Sequence, residues 1–336
     1  MKAFVSIPKD NVPTSVYNTF ILDSVKAYYA EKFSQVIYSD CEGRQVTPEE
    51  FKAAAQDCEV VITGWGHPMI TAEMVEGTKL KYIAHTGGTV GTLVAPEVYD
   101  MGIRVVSGNT VFAESVAEGT IAYMMTALRR IPDYINSVRG GGWRIDYETR
   151  GMFNKTLGIV SLGAISRYVI DMVKPFNMNI KIYSGHTIDA EYLKEHNAEQ
   201  VSLDELFETC DIVSVHSAMT EKTKGMIGKK QFDLLKDGAI FINTSRGRVI
   251  AEEELIEALK ENRFSAVLDV FYNEPLEENS ELRTLENVYC VPHMAGPTID
   301  RRPAISVRIA DAVCNLEKGL EDKCEISKAA ASRMTT

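Results

Sequence analysis

The chain has 336 residues, 45% of them apolar and 25% charged, which is the balance of a folded protein with material for two cores rather than one. Acidic residues outnumber basic ones 47 to 36, and the formal charge of −11 repels phosphate backbones and anionic lipid. Neither nucleic acid nor a membrane is therefore expected as a partner, and an anionic substrate needs a cation of its own inside that field.

The amino-terminal segment reads as a strand, without the basic stretch and apolar run of a secretory signal. No window approaches eighteen apolar residues without a charge, so no membrane span is expected. The six cysteines, Cys41, Cys58, Cys210, Cys290, Cys314 and Cys324, form no Cys-x-x-Cys pair. They read as reduced thiols of a cytoplasmic protein rather than as disulfides or metal ligands, and no metal site is expected.

Short apolar runs alternate with longer amphipathic stretches, the pattern of parallel sheets with helices on both faces. Strand candidates in the first third are residues 3–6, 36–38, 60–63, 82–85 and 105–106. A helix is predicted over Pro48–Ala55, where Thr47 can cap, Pro48 suits the first turn, and Glu49 and Glu50 face the positive end of the dipole. A long helix is predicted over 113–130, and Gly140, Gly141 and Gly142 before Trp143 break the pattern. A second series follows, with strands at 157–162, 180–183, 212–215, 239–243, 266–268 and 288–291. A last helix is predicted over 303–320, and the polar tail beyond Ser327 reads as mobile. The chain shows no internal repeat. The simplest architecture is α/β, with two doubly wound, Rossmann-like parallel sheets.

The strand at 157–162 runs into Ser161-Leu162-Gly163-Ala164-Ile165-Ser166, where a dinucleotide-binding loop would lie, with serine at the first and third glycine positions. Gly163 survives in the middle, and the following helix offers free N–H groups at Ala164 and Ile165. A left-handed backbone at Ser161 would cost roughly 1–2 kcal/mol. Ser166 adds bulk where helix and strand pack, although its hydroxyl could bond a phosphate. One glycine in a strand–turn–helix is common, so this loop alone carries little. The next strand should end on an acid that holds the cofactor ribose. Here it ends on Ser184, with Gly185 and His186 behind it and Asp189 the nearest acid. Without that carboxylate a 2′-phosphate is not repelled, yet no arginine replaces it, so NAD against NADP stays open.

Three later strands each lead into a group that keto-acid chemistry needs. These are Thr244-Ser245-Arg246-Gly247, Asp269-Val270-Phe271 with Glu274-Pro275, and Pro292-His293. Ligands of open parallel sheets bind at the carboxyl ends of strands, where all three groups fall. Reduction of a 2-keto acid builds negative charge on the carbonyl oxygen and requires a proton there. A histidine titrating near neutrality suits that task, and a carboxylate can orient its ring. An arginine can grip the substrate carboxylate and polarise the carbonyl. Arg246 is thus the candidate anchor, His293 the acid/base and Glu274 its partner. Each residue alone has an ordinary structural explanation, and the argument rests on the three together.

These segments, with Ser115-Val116-Ala117-Glu118, resemble the D-isomer-specific 2-hydroxyacid dehydrogenase family (phosphoglycerate dehydrogenase-like) over nearly the whole chain. The resemblance implies a dinucleotide-binding domain, residues 111–295, inserted into a substrate domain formed by 1–110 plus 296–336. It implies that Asp269 meets the nicotinamide carboxamide and that Thr244, Ser245 and Arg246 pass along the nicotinamide ribose. Ser217, Ala218 and Thr223 would lie near the adenosine, and Gly87, Gly88 and Thr89 would grip the substrate carboxylate. Trp65 and His85 are expected beside them.

The activity implied is NAD(P)-dependent hydride transfer to or from a small 2-keto or 2-hydroxy acid, with NAD slightly favoured over NADP, in a homodimer. Ser161, Ser166, Ser184 and Ala218 depart from the family pattern, all on the cofactor side. They keep a second reading open, a catalytically weak dinucleotide-sensing or partner-binding protein of the same fold.

Overall fold

The computed structural model describes residues 1–143 and 148–334. It separates into two compact units, Met1–Ser115 with Pro297–Thr336, and Val116–Gly296. Among the described residues no helix is long and apolar enough to cross a membrane.

The first unit is built on β1 (Lys2–Ser6), β2 (Gln35–Tyr38), β3 (Val60–Thr63), β4 (Tyr82–His85) and β5 (Arg104–Ser107). They pair in parallel in the order β2-β1-β3-β4-β5. Every residue of β3 and β4 is buried, as a strand covered on both faces requires. One face packs on Phe20, Tyr29, Ile305, Ile309 and Val313, the other on Phe51, Met74, Val98 and Ile103. The helix Pro48–Ala55 forms as predicted: Thr47 accepts from the Glu50 N–H, and the Glu50 carboxylate accepts from the Thr47 N–H.

The second unit holds β6 (Thr156–Val160), β7 (Asn179–Tyr183), β8 (Ala198–Gln200), β9 (Ile212–Val215), β10 (Ile240–Asn243), β11 (Ser265–Leu268) and β12 (Val288–Cys290). All pair in parallel, in the order β12-β11-β10-β9-β6-β7-β8. The order reverses between β6 and β9, which opens a crevice beyond their carboxyl ends. In the helix Ala164–Val173, Ser166, Val169, Ile170 and Val173 form the buried stripe. On one face of the sheet Phe232 meets Phe241 edge-on at 5.6 Å and stacks on Phe264 at 6.3 Å.

Three expectations change. The long helix runs Asn109–Leu128 and a second helix, Ile131–Arg139, follows it, because Pro132 lacks the N–H the first would need. Arg130 turns the chain between them at φ 51°. The edge strand β8 escapes sequence reading because Ala198-Glu199-Gln200 carries no apolar run.

The tail beyond Ser327 is packed rather than mobile up to residue 334; residues 335 and 336 lie outside the described residues. Residues 324–326 extend along β5, with Ile326 N–H on the Val105 carbonyl, and a short helix, Lys328–Ala331, buries Ala331. An extra chain along the edge closes otherwise unpaired backbone groups.

Candidate active site

The crevice between β6 and β9 is bridged by side chains. Ser161 adopts the left-handed backbone at φ 77°, and its hydroxyl lies 2.5 Å from that of buried Ser217, which follows β9. A hydrogen bond worth about 1 kcal/mol offsets much of the strain of about 1–2 kcal/mol at that position. Ser166 does not reach for a phosphate. It is buried, accepting from the Gly163 N–H at 2.7 Å and donating to the Gly163 carbonyl at 3.1 Å.

The open donors of the turn are therefore the N–H groups of Ala164 and Ile165, for which no partner occurs among the described residues. Gly163 is exposed, with open space where a side chain would project. A positive helix terminus under a bare backbone fits an incoming diphosphate, so the turn suits the group its position implies. After β9, Ala218 is exposed, and the Thr223 hydroxyl is committed within its own loop, donating to the Ala218 carbonyl at 2.6 Å.

At the end of β7 the Ser184 hydroxyl accepts from the His186 N–H at 3.3 Å. Asp189 is the nearest acid beyond that strand. Its Oδ1 accepts from the Glu191 and Tyr192 N–H groups as the cap of the next helix. Arg167 lies over the Tyr192 ring at 4.3 Å.

The ends of β10, β11 and β12 carry the catalytic candidates in one interlocked set of turns. Asn243 closes the first: its Oδ1 accepts from the N–H and hydroxyl of Ser245, and its Nδ2 donates to the Arg246 carbonyl. Thr244 is buried beside Ser245. Burial lowers the pKa of the Arg246 guanidinium, and the nearby Glu274 carboxylate opposes that shift. Gly247 presses on the next turn, where a Cβ would lie 1.9 Å from the Phe271 carbonyl.

Beyond β11, Asp269 is 1% exposed, and its carboxylate accepts from the Tyr123 hydroxyl at 2.8 Å and from the N–H groups of Met294 and Ala295. Its backbone carbonyl accepts from the His293 N–H. Glu274 is held by Oε1 on the Phe271 N–H at 3.1 Å, while Oε2 meets His293 Nδ1 at 2.7 Å. His293 is half-exposed, at φ 54°, and Nε2 has no partner among the described residues. A cavity of about 590 Å³ lined by Phe271, Glu274, Arg283, Cys290 and His293 opens beside the pair.

Gly87, Gly88 and Thr89 belong to the other unit, beyond β4. The Gly87 carbonyl accepts from the Gly108 N–H, and the Gly88 carbonyl from the Ser107 hydroxyl. A side chain at Gly87 would collide with His85 Nε2 at 2.2 Å. His85 is buried against Thr63, and desolvation pushes its imidazole down to about 3, so it stays neutral. Trp65 flanks the same glycine and packs edge-on to Phe20.

Sequence reading missed Arg302, whose guanidinium covers Trp65 and Phe20, and Tyr123, which reaches Asp269. Neither sits in a recognisable motif, and their partners are distant along the chain. Among the described residues no group of three or more His, Cys, Asp or Glu could hold a metal ion.

An imidazole backed by a fixed carboxylate, with its distal nitrogen open, can give or take a proton. A nearby arginine can bind a carboxylate. Residues 121–295 match the family described as D-isomer specific 2-hydroxyacid dehydrogenase, NAD binding domain. The chain is 34% identical to a D-3-phosphoglycerate dehydrogenase of Methanocaldococcus jannaschii over 82% of its own length and 52% of that protein's. It thus spans about half the length of that relative. It is 33% identical to a glyoxylate reductase of Korarchaeum cryptofilum, over 79% of this chain and 81% of that protein. The apo structure of D-lactate dehydrogenase from Escherichia coli aligns over 97% of this chain and 99% of its own, with TM-score 0.72 and 26% identity.

Replacing Gly247 with alanine forces the Arg246 and Phe271 turns apart. Chemical denaturation of Gly247→Ala should show a loss of about 3 kcal/mol, and any turnover should fall by about 100-fold or more.

Proposed function

The chain belongs to the D-isomer specific 2-hydroxyacid dehydrogenase family, and from that premise we propose that it interconverts a small 2-keto acid and its 2-hydroxy acid. When bound, a nicotinamide dinucleotide supplies the hydride in the reductive direction. The observation that carries this reading is the Glu274–His293 contact at 2.7 Å, with Glu274 itself tied to the Phe271 N–H.

The residues divide the work. Arg246 holds the substrate carboxylate and draws charge toward the carbonyl oxygen. His293 delivers a proton from Nε2 to that oxygen, and takes it back in the oxidative direction. Glu274, tied to the Phe271 N–H, faces the other ring nitrogen and orients the imidazole for transfer. Gly87, Gly88 and Thr89 receive the substrate carboxylate through their backbone. Ala164 and Ile165 receive the diphosphate, Ser161 and Ser217 fix the turn beneath it, and Ala218 and Thr223 border the adenosine. Asp269, Thr244 and Ser245 face the nicotinamide side.

Purified protein should oxidise NADH with at least one of glyoxylate, hydroxypyruvate or pyruvate. His293→Asn should lower kcat by about 1,000-fold while NADH affinity stays within about threefold. Tight NADH binding with no turnover on any keto acid would instead support the dinucleotide-sensing reading.

NAD is the preferred cofactor in this reading, with weak discrimination against NADP, because Ser184 neither repels nor pairs a 2′-phosphate. Ser184→Asp should increase the preference for NADH over NADPH, measured as a ratio of dissociation constants, by at least about tenfold, or about 1.4 kcal/mol.

All six cysteines are free, which fits a reducing compartment such as the cytoplasm. The helix Ile131–Arg139 buries none of its residues and shows Ile131, Ile135 and Val138 on one stripe at 42%, 44% and 56% exposure. This face is assigned to pairing with a second copy of the chain. Ile135→Asp should convert a dimer into a monomer in sedimentation velocity.

A further inference from the structure

The helix Asn109–Leu128 contributes three neighbouring residues to the undersides of the three catalytic turns, all within the second unit. Gly119 lies under the β12 turn, where a Cβ would sit 2.8 Å from the Ala295 carbonyl oxygen and 2.9 Å from its Cα. Thr120 is buried, donates to the Val116 carbonyl at 2.8 Å, and its oxygen lies 3.2 Å from the Thr244 hydroxyl of the β10 turn. With the Thr120 proton on Val116, Thr244 is the donor of that second bond. Tyr123, one turn further, donates to Asp269 Oδ1 in the β11 turn at 2.8 Å. Positions 119, 120 and 123 share one helix face.

We propose that Tyr123 is a positioning residue for the acid/base His293, acting through Asp269. The assignment rests on the dehydrogenase reading above. His293 holds a left-handed backbone at φ 54°, a conformation that a residue with a Cβ keeps only when its surroundings over-determine it. Asp269 supplies that constraint on both sides of the histidine. Its carbonyl takes the His293 N–H, and its carboxylate takes the N–H groups of Met294 and Ala295.

The carboxylate can hold those amides only if it keeps its own orientation. The Tyr123 hydroxyl shares Oδ1 with the Met294 amide and so fixes that orientation from the helix side. A hydroxyl–carboxylate bond in a buried site is charge-assisted and among the stronger ones available. Without it the carboxylate gains freedom to turn, the two amides loosen, and the imidazole drifts from the alignment that proton transfer demands.

The test is Tyr123→Phe, which keeps the ring and removes one oxygen. With a keto acid that the wild type reduces, kcat should fall about tenfold, with KM for that acid changed by less than about twofold. Asp269→Ala should cost more, and adding Tyr123→Phe to it should cost less than about twofold further, since the hydroxyl then has no acceptor. Equal losses in both backgrounds would mean only a general structural role and would overturn the proposal, as would unchanged kcat or a loss confined to KM.

A second readout needs no turnover. Amide hydrogen exchange at Met294 and Ala295 should quicken by about tenfold or more in Tyr123→Phe, while exchange in β6 and β9 stays as in the wild type. Unchanged protection at 294 and 295 sinks the proposal. A wild type that reduces no keto acid would count against the dehydrogenase reading and leave the exchange result to decide whether Tyr123 holds this turn.

Discussion

Taking a carboxylate out of water costs free energy unless hydrogen bonds replace those it loses. Asp269 finds such bonds in one hydroxyl from the helix Asn109–Leu128 and in two neighbouring backbone amides after β12. Through them the end of β11 fixes the turn after β12, where the histidine sits. The same strand end anchors the other two groups. Glu274 is held by the Phe271 N–H, and the Arg246 turn stays close because Gly247 has no side chain to lift it off Phe271. The three candidate groups therefore share one support, and disturbance of any turn is transmitted to its neighbours.

The cofactor side shows a different solution to a local problem. Two positions that favour glycine carry serine, and each serine finds a hydrogen bond inside the fold. Ser161 tolerates its left-handed backbone while bridging to Ser217 across the point where strand order reverses. Ser166 turns its hydroxyl back onto Gly163, which stabilises the turn and also removes one N–H from the set open to a ligand. The loop is intact, with fewer donors than an all-glycine version would offer. Substitution here alters how the loop binds more than whether it forms.

Burial separates His85 and His216 from His293. His85 and His216 lie where desolvation pushes the imidazole down to about 3 and about 4, so neither changes charge near neutrality. His293 is half-exposed, has a carboxylate on one nitrogen and presents the other.

Much of this was readable in the chain. Runs such as Val60-Val61-Ile62-Thr63 suit strands buried on both faces, and Thr47-Pro48-Glu49-Glu50 specifies a helix start through bonds within four residues. Arg246, Glu274 and His293 could be picked out because their chemistry is complementary and each follows an apolar strand. What the sequence could not show depends on atoms brought together from far apart. Ser166 could have faced a ligand or its own turn, and only packing of the helix on the sheet buried it. Asp189 was only the nearest acid after β7, and the fold uses its carboxylate to cap a helix. The tail beyond Ser327 was polar, yet it forms a short helix that buries Ala331. Tyr123 lies 146 positions from Asp269, and no local pattern links them. Sequence determines what bonds within a few residues can enforce, while long-range contacts belong to tertiary structure, because there a side chain's partner is chosen by which surfaces the core brings together.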